Sequence, residues 1–200
     1  MLFQDVLLLQ KRYYSILIYA ISLSEGAEDD FLAKSIIQFY DLAEKYDKLL
    51  TYLISLSQRC VEKTGAYKTA IHYLKEASII CTKLNNAANK EIKKLIGERV
   101  STMEWFVYTQ ESFQTMDRLS FEEFCLDLLS QQNKIIRDGD CYALLVKFFS
   151  ASEQYDLAYN YLNAMFERGI NAYEFIDRSV VKTLLQVVGK ENALNDNDSN

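Results

Sequence analysis

The sequence lacks proline altogether and contains only six glycines among 200 residues. Soluble chains contain about 5% proline on average, and all-β folds depend on many turns built from proline and glycine. Their scarcity argues against an all-β protein and excludes a collagen-like chain. Half of the residues are apolar and a quarter are charged, a composition typical of a folded domain. These observations leave a helical protein.

Basic residues are also in the minority. Twenty-two lysines and arginines stand against 28 acidic residues, so the formal net charge is −6. Proteins that bind nucleic acid neutralise phosphates with Lys and Arg, and no run of five like charges occurs here. The charge pattern therefore predicts no nucleic-acid partner.

Residues that commonly build catalytic or metal sites are few and scattered. The single histidine, His72, has no Ser or Cys motif beside it and is predicted to lie at the surface. The four cysteines form no CxxC pair, so they are predicted to be buried free thiols of a reducing compartment: Cys60, Cys81, Cys125 and Cys141. Phosphate-binding glycine loops, HExxH and EF-hand motifs are all missing. The sequence predicts no enzyme, cofactor, metal or small-molecule substrate.

The first 24 residues resemble a targeting segment only superficially. Lys11 and Arg12 precede an apolar stretch, 13–23, that is shorter than the roughly 20 residues needed to cross a bilayer. A small-residue cleavage site is missing before the acidic patch at 25–30. We expect a soluble helix here and no membrane insertion.

Apolar residues recur at helical spacing along the rest of the chain, which predicts about nine helices in total. After the N-terminal helix, the predicted spans are 29–43, 46–60, 67–84, 89–115, 120–129, 141–150, 153–168 and 174–188. Asp29-Asp30 and Glu122-Glu123 are interpreted as helix-start acids, and Ser120 to Glu123 as a capping box. Gly139 is placed in an acidic turn between Asp138 and Asp140.

Three further expectations concern the faces of two helices and the tail. Leu95 is expected to face inward from the long helix. The last helix is apolar on more than half of its girth and is predicted to be covered on both sides. Residues 190–200 are mostly Asn, Asp and Ser and are predicted to be a disordered tail.

One helical pair follows the tetratricopeptide spacing. In residues 140–169, large residues on the first helix face an alanine, Ala158, on the second; the stripe comprises Tyr142, Leu145, Val146, Phe149, Tyr155, Ala158, Leu162 and Met165. Residues 36–53 repeat the spacing, and Tyr46 and Tyr155 are 109 residues apart, close to three repeats. The fold class predicted is all-α, with antiparallel helical hairpins stacked as a tetratricopeptide-like solenoid. Residues 1–189 are predicted to form a single domain.

Two tyrosines lie off this stripe. Tyr142 and Tyr155 are expected in the core, whereas Tyr159 and Tyr161 fall outside the pattern. Tyrosine buries a large area at interfaces for little loss of side-chain entropy. Tyr159 and Tyr161 are therefore candidate partner-binding residues.

Four segments in order resemble the C-terminal region of the intraflagellar transport protein 140 family, which belongs to the IFT-A complex. They are Ile36 to Leu53, Ala66 to Cys81, Ile135 to Gly169 and Ala172 to Gly189, with weaker similarity from Gln10 to Ile37. The most specific pieces are the Ile-Arg-x-Gly-Asp-x-Tyr motif at 136–142 and the Val-Gly pair at 188–189. The linker at 170–172 lacks a proline associated with the family.

The resemblance implies a scaffold without catalytic residues. Family members carry two N-terminal WD-repeat propellers and a long solenoid, assemble with other IFT-A subunits, support retrograde transport along the axoneme and help bring membrane proteins into cilia. The resemblance therefore implies IFT-A subunits as partners and the cilium or flagellum and the ciliary base, on the cytoplasmic side, as the location. Because the propellers are missing from these 200 residues, the chain is expected to be a fragment, a split gene product or a truncated gene model.

Two other functions remain open at this point. A vesicle-coat solenoid would have similar repeats and different partners. Residues 158–185 resemble one pentatricopeptide repeat, but RNA binding of that kind needs several tandem copies and a basic groove.

Overall fold

The computed structural model describes residues 30–189, and these residues form α-helices joined by short connections, without a β-strand among them. The eight α-helices are α1 Asp30–Leu42, α2 Tyr46–Arg59, α3 Tyr67–Leu84, α4 Ala87–Ser112, α5 Arg118–Ser130, α6 Asp138–Ala151, α7 Tyr155–Glu167 and α8 Arg178–Val187. A π-helical turn, Cys60–Thr64, follows α2, and 3-10 turns lie at Phe113–Thr115 and Ala172–Glu174. The all-α prediction is confirmed. The predicted N-terminal helix and tail lie outside the described residues.

Glycine and asparagine end the helices where the sequence predicts. Gly65 follows the π-helical turn with φ +62° and Gly169 follows α7 with φ +70°. Asn85 also has a positive φ, 40°, directly after α3. Left-handed backbone is least costly for glycine and tolerable for asparagine, which explains why the chain turns there.

Helices α5 and α6 start earlier in the chain than predicted. Helix α5 begins at Arg118 because Asp117 is its N-cap; the Asp117 carboxylate accepts the backbone N–H of Ser120 at 3.0 Å. Ser120 is thus the third residue of the helix and not its cap. Helix α6 begins at Asp138, so Gly139 lies buried in a helical turn instead of a loop. Acidic residues suit the first turn of a helix because of its dipole.

The outward faces of two helices also differ from expectation. Leu95 in α4 is 51% exposed although an inward position was predicted. Helix α8 starts at Arg178, four residues later than predicted, and Asp177 caps it. Val181, Leu184 and Leu185 bury one stripe of α8, whereas Val187 is 53% exposed. Within the described residues, the buried side chains of α8 form a single stripe and not the two covered sides that were predicted.

The described residues divide into two compact units, one of residues 30–56 and 73–96 and the other of 57–72 and 97–189. In the first unit, α1 and α2 form a hairpin in which the rings of Tyr40 and Tyr52 are 6.2 Å apart. Lys83 of α3 lies 3.3 Å from the Asp41 carboxylate and 4.8 Å from the ring of Tyr46. Four residues of the predicted repeat spacing are buried there: Ile36, Tyr40, Leu49 and Leu53.

The second unit contains the tetratricopeptide-like hairpin of α6 and α7, which are joined by residues 152–154 and pack closely along their length. The predicted stripe is buried, with Ala158 fully inaccessible, at Tyr142, Leu145, Val146, Phe149, Ala158, Leu162 and Met165. Tyr155 is only half-buried, so its predicted core position was wrong. Its place at the first residue of α7 leaves one side of the ring uncovered. Phe121 of α5 stacks on Phe148 at 4.1 Å and extends the core.

Candidate functional site

The motif at 136–142 forms an ion-pair cluster at the start of α6. Arg137 donates from Nε to Asp140 Oδ2 at 2.6 Å and from Nη2 to Oδ1 at 3.0 Å. Two parallel charge-assisted hydrogen bonds fix both side chains in one geometry. The hydrogen bonds to Asp140 raise the pKa of Arg137, so the guanidinium stays charged.

Tyr67, at the first turn of α3, completes this cluster from a distant part of the sequence. Its hydroxyl donates to Asp140 Oδ2 at 2.6 Å and accepts the backbone N–H of Arg137 at 3.2 Å. Its ring is 3% exposed and lies 5.0 Å from the ring of Phe106. Burial, and secondarily the Asp140 charge, raise the pKa of Tyr67 well above its usual range. The phenol therefore remains a proton donor to the carboxylate.

Two glycines allow neighbouring groups to approach this cluster. A Cβ on Gly139 would lie 2.4 Å from Phe175, and a Cβ on Gly65 would lie 2.4 Å from Arg137 Nη2. The Arg137 guanidinium lies 4.9 Å from the centre of the Phe175 ring, a cation–π distance. The motif glycine is thus required by close packing with an aromatic ring.

Tyr142, the last motif residue, faces the far end of α7. The Arg168 guanidinium lies 5.4 Å from the Tyr142 ring and 4.0 Å from Asp138 Oδ2. Lys134 lies 2.8 Å from Asp138 Oδ1. The motif therefore joins the π-helical turn, α3, α6, α7 and the turn before α8 within the second unit. The hydrogen bonds that Arg137 and Tyr67 donate to Asp140 are suited to holding a scaffold together.

The two tyrosines predicted to bind partners both lie on α7 and are half-buried. Tyr161 stacks on Phe149 at 5.5 Å, and its hydroxyl donates to Glu122 Oε1 at 2.5 Å. Burial, then the hydrogen bond and charge of Glu122, raise the pKa of Tyr161. Tyr161 thus links α7 to α5, while binding by Tyr159 and Tyr161 stays a prediction.

None of the four cysteines forms a disulfide, and three of the four are buried as predicted. Cys60 is half-buried, contrary to prediction, because it lies in the π-helical turn at the end of α2. Burial raises the pKa of Cys125 to about 12, and it also raises the pKa of Cys141. Thiols become nucleophiles as thiolates, so these two are suited to packing and not to covalent chemistry.

Other side chains that could take part in catalysis or metal binding lie at the surface or do not cluster. His72 is exposed, as predicted. Among residues 30–189, no three His, Cys, Asp or Glu side chains converge in a way that could hold a metal ion. In the same range, none of the helices combines the length and apolar character required to span a membrane.

An exposed apolar surface on the second unit was missed by sequence reasoning. Trp105 and Tyr108 of α4 are 55% and 54% exposed, and Leu119 and Leu126 of α5 are 72% and 45% exposed. Helical periodicity could have revealed it, since Leu119 and Leu126 are seven residues apart and share one face. The buried face of α5 carries Phe121, Cys125 and Leu128.

The helical hairpins define a protein of the tetratricopeptide-repeat class, which is a protein-interaction fold and not a class of enzymes. The chain belongs to the family of the C-terminal TPR domain of intraflagellar transport protein 140, whose model matches residues 47–166. This family connects the chain to intraflagellar transport and to the cilium. No curated protein matches it.

Proposed function

We propose that the chain is a protein–protein interaction scaffold that acts as the C-terminal part of an IFT-A subunit in retrograde intraflagellar transport and ciliary protein trafficking. The observation that carries the proposal is the family match across residues 47–166. The partners are other IFT-A subunits, and the location is the cilium or flagellum and the ciliary base, on the cytoplasmic side.

The hydrogen-bonded cluster at the start of α6, in the second unit, supports a scaffold role. Arg137, Asp140 and Tyr67 use their hydrogen-bonding groups on each other, so the cluster stabilises the hairpins. Solenoid proteins present their surfaces to partners by holding successive hairpins in a fixed order. We further propose that the chain is not an enzyme and takes no cofactor or small-molecule substrate.

The proposal is tested by tagging the chain in ciliated or flagellated cells, purifying it at gentle salt and identifying the co-purifying proteins by mass spectrometry. We expect IFT-A subunits at levels well above those from an untagged strain. Vesicle-coat subunits in their place would overturn the proposal. Salt-sensitive RNA binding in a filter assay, with no IFT-A recovery, would also overturn it.

The same purification tests the two tyrosines on α7. We propose that Tyr159 contacts a partner, and Tyr159→Ser should then reduce recovery of at least one IFT-A subunit severalfold. Tyr173→Ser is the matched control, because Tyr173 is also half-buried in the second unit. Tyr161→Phe distinguishes the role of the Tyr161 ring from that of its hydroxyl, since the variant keeps the ring and removes only the hydrogen bond to Glu122.

A further inference from the structure

We propose that the outward face of α5 is a docking surface for a basic amphipathic helix of a partner protein. This surface, the α5 groove, is lined by Leu119, Glu122, Glu123, Leu126, Asp127 and Ser130. The inference builds on the proposed scaffold function, because it assigns a surface and a partner chemistry to that function.

The α5 groove is a shallow surface that is open to solvent, and its described lining residues all belong to α5. Leu119 and Leu126 lie one above the other on the helix and are 72% and 45% exposed. Each exposed leucine side chain that a partner covers removes apolar area from water, which favours association. A helix is a suitable occupant because its apolar residues recur at the same seven-residue spacing.

A cluster of aromatic residues lies on one flank of α5, where Phe124 approaches Trp105. Phe124 of α5 lies 6.3 Å from Trp105, and Trp105 lies 5.4 Å from Tyr108, each measured between ring centres. Trp105 is the chain's only tryptophan, and more than half of it is exposed. Tryptophan and tyrosine dominate interface hot spots, and their faces also attract arginine and lysine.

The negative charge around the α5 groove indicates that the partner helix is basic. Residues 98–130 contain seven acidic and only two basic residues, so most of the net charge of −6 lies in this stretch. Of the described residues that line the groove, three are carboxylates and none is basic. Arg118 at its edge is already engaged, 3.8 Å from Glu122 and 5.4 Å from the Phe149 ring.

Glu123 and Asp127 are the charged groups that a partner can use. Both are exposed, and neither side chain forms an ion pair within the described residues. A lysine- or arginine-bearing helix supplies the missing charges, and complementary potentials speed association and select the partner. A second copy of this surface would bring like charge to like charge, which opposes self-association through the groove.

The test uses a synthetic amphipathic peptide with leucines on one face and lysines and arginines on the other. It carries a label and is titrated with the full chain, and binding is followed by the anisotropy of the labelled peptide. We expect a saturable rise in the anisotropy of the labelled peptide and an affinity that falls by about tenfold or more as salt screens the charges. A peptide with glutamates replacing the basic residues should bind at least about tenfold more weakly.

Variants locate the binding. The double variant Leu119→Ser/Leu126→Ser should reduce the affinity for the basic peptide by about tenfold or more. The double variant Glu123→Gln/Asp127→Asn should also reduce this affinity, and it should make the affinity less dependent on salt. Leu42→Ser is the matched control, since Leu42 is 85% exposed in the first unit. Circular dichroism and melting curves confirm that each variant is folded.

Three results would overturn the inference. They are equal binding of the acidic and basic peptides, unchanged binding by the two double variants, and self-association of the chain without peptide that the two double variants abolish. The last result would mean that a second copy occupies the groove. The peptide titration does not depend on whether IFT-A subunits are recovered from cells. Failure of the proposed function can therefore be distinguished from failure of the docking surface.

Discussion

The Tyr67 hydroxyl donates a 2.6 Å hydrogen bond to the Asp140 carboxylate across 73 residues of sequence. The bond joins the first turn of α3 to the first turn of α6, both within the second unit. The same carboxylate accepts hydrogen bonds from the Arg137 guanidinium, so a single acceptor binds one donor from α3 and one from the residue that precedes α6. We expect this cluster to contribute more to stability than any ion pair on the exposed surface.

Removing the hydroxyl of Tyr67 tests this expectation. Tyr67→Phe keeps the ring but leaves the buried part of Asp140 with one donor fewer, so the free energy of unfolding should fall by about 1–3 kcal/mol. The measurement is urea denaturation followed by circular dichroism. Tyr108→Phe is the control, since that ring is 54% exposed, and it should change stability by less than about 0.5 kcal/mol. Equal small effects would show that the cluster is energetically unimportant.

Replacing each of two helical glycines with alanine should change the stability of the chain in opposite directions. Gly139→Ala should destabilise the chain, because its Cβ would lie 2.4 Å from the Phe175 ring. Gly97→Ala should stabilise it by about 0.5–1 kcal/mol, because nothing lies within 4 Å of that Cβ and alanine is the better helix former. Thermal melting of both variants checks the prediction. A stabilising Gly139→Ala would mean that Phe175 moves aside without cost.

The repeat register was predictable from the sequence because it depends on residues close together in the chain. The spacing from Tyr142 to Met165 lies within one hairpin, and its buried stripe follows from helical periodicity. The cluster around Asp140 was not predictable in the same way. The Ile-Arg-x-Gly-Asp-x-Tyr motif was recognised as specific, but Tyr67 and Phe175 come from outside it. Only the tertiary packing reveals why Gly139 must lack a side chain.

The start of α5 was predicted wrongly because two nearby residues could both cap the helix. Asp117 and Ser120 both suit an N-cap, and pattern alone could not decide between them. The structure selects Asp117, whose carboxylate accepts the N–H and the hydroxyl of Ser120. The exposed positions of Leu95 and Val187 were missed because an apolar residue on a helix flank fits an inward pattern as well as an outward one.

Ala158 is the position at which the tetratricopeptide register makes its sharpest prediction. Ala158 is fully inaccessible in the α6–α7 hairpin, so Ala158→Leu should overpack it and lower the free energy of unfolding by about 1–3 kcal/mol. Ala88→Leu, at an exposed position near the start of α4, is the control and should be close to neutral. Chemical denaturation measures both. An unchanged stability for Ala158→Leu would show that the register is wrong.

Thiol reactivity should follow burial. Cys60 is half-buried and should react first with a disulfide reagent at neutral pH, while burial raises the pKa of Cys81, Cys125 and Cys141. Native protein should show one fast equivalent of reaction, followed by slow reaction of the rest as the chain opens. Cys60→Ser should abolish the fast phase. Fast reaction of Cys125 or Cys141 in that variant would contradict their burial.

The two aspartate caps should make the chain sensitive to acid. Hydrogen bonds from Ser120 hold the pKa of Asp117 below its usual range, and those from Ser179 do the same for Asp177. A carboxyl whose pKa is lower in the folded state stabilises the fold above its unfolded pKa, about 3.9, and the stabilisation is lost as pH falls through the folded pKa. Unfolding curves between about pH 5 and 2 should therefore show a smaller loss of stability for Asp117→Asn/Asp177→Asn than for the natural chain. Asp127→Asn is the control, because the Asp127 carboxylate accepts no hydrogen bond in the described residues. Parallel acid profiles for the double variant and the natural chain would show that the caps contribute nothing as carboxylates.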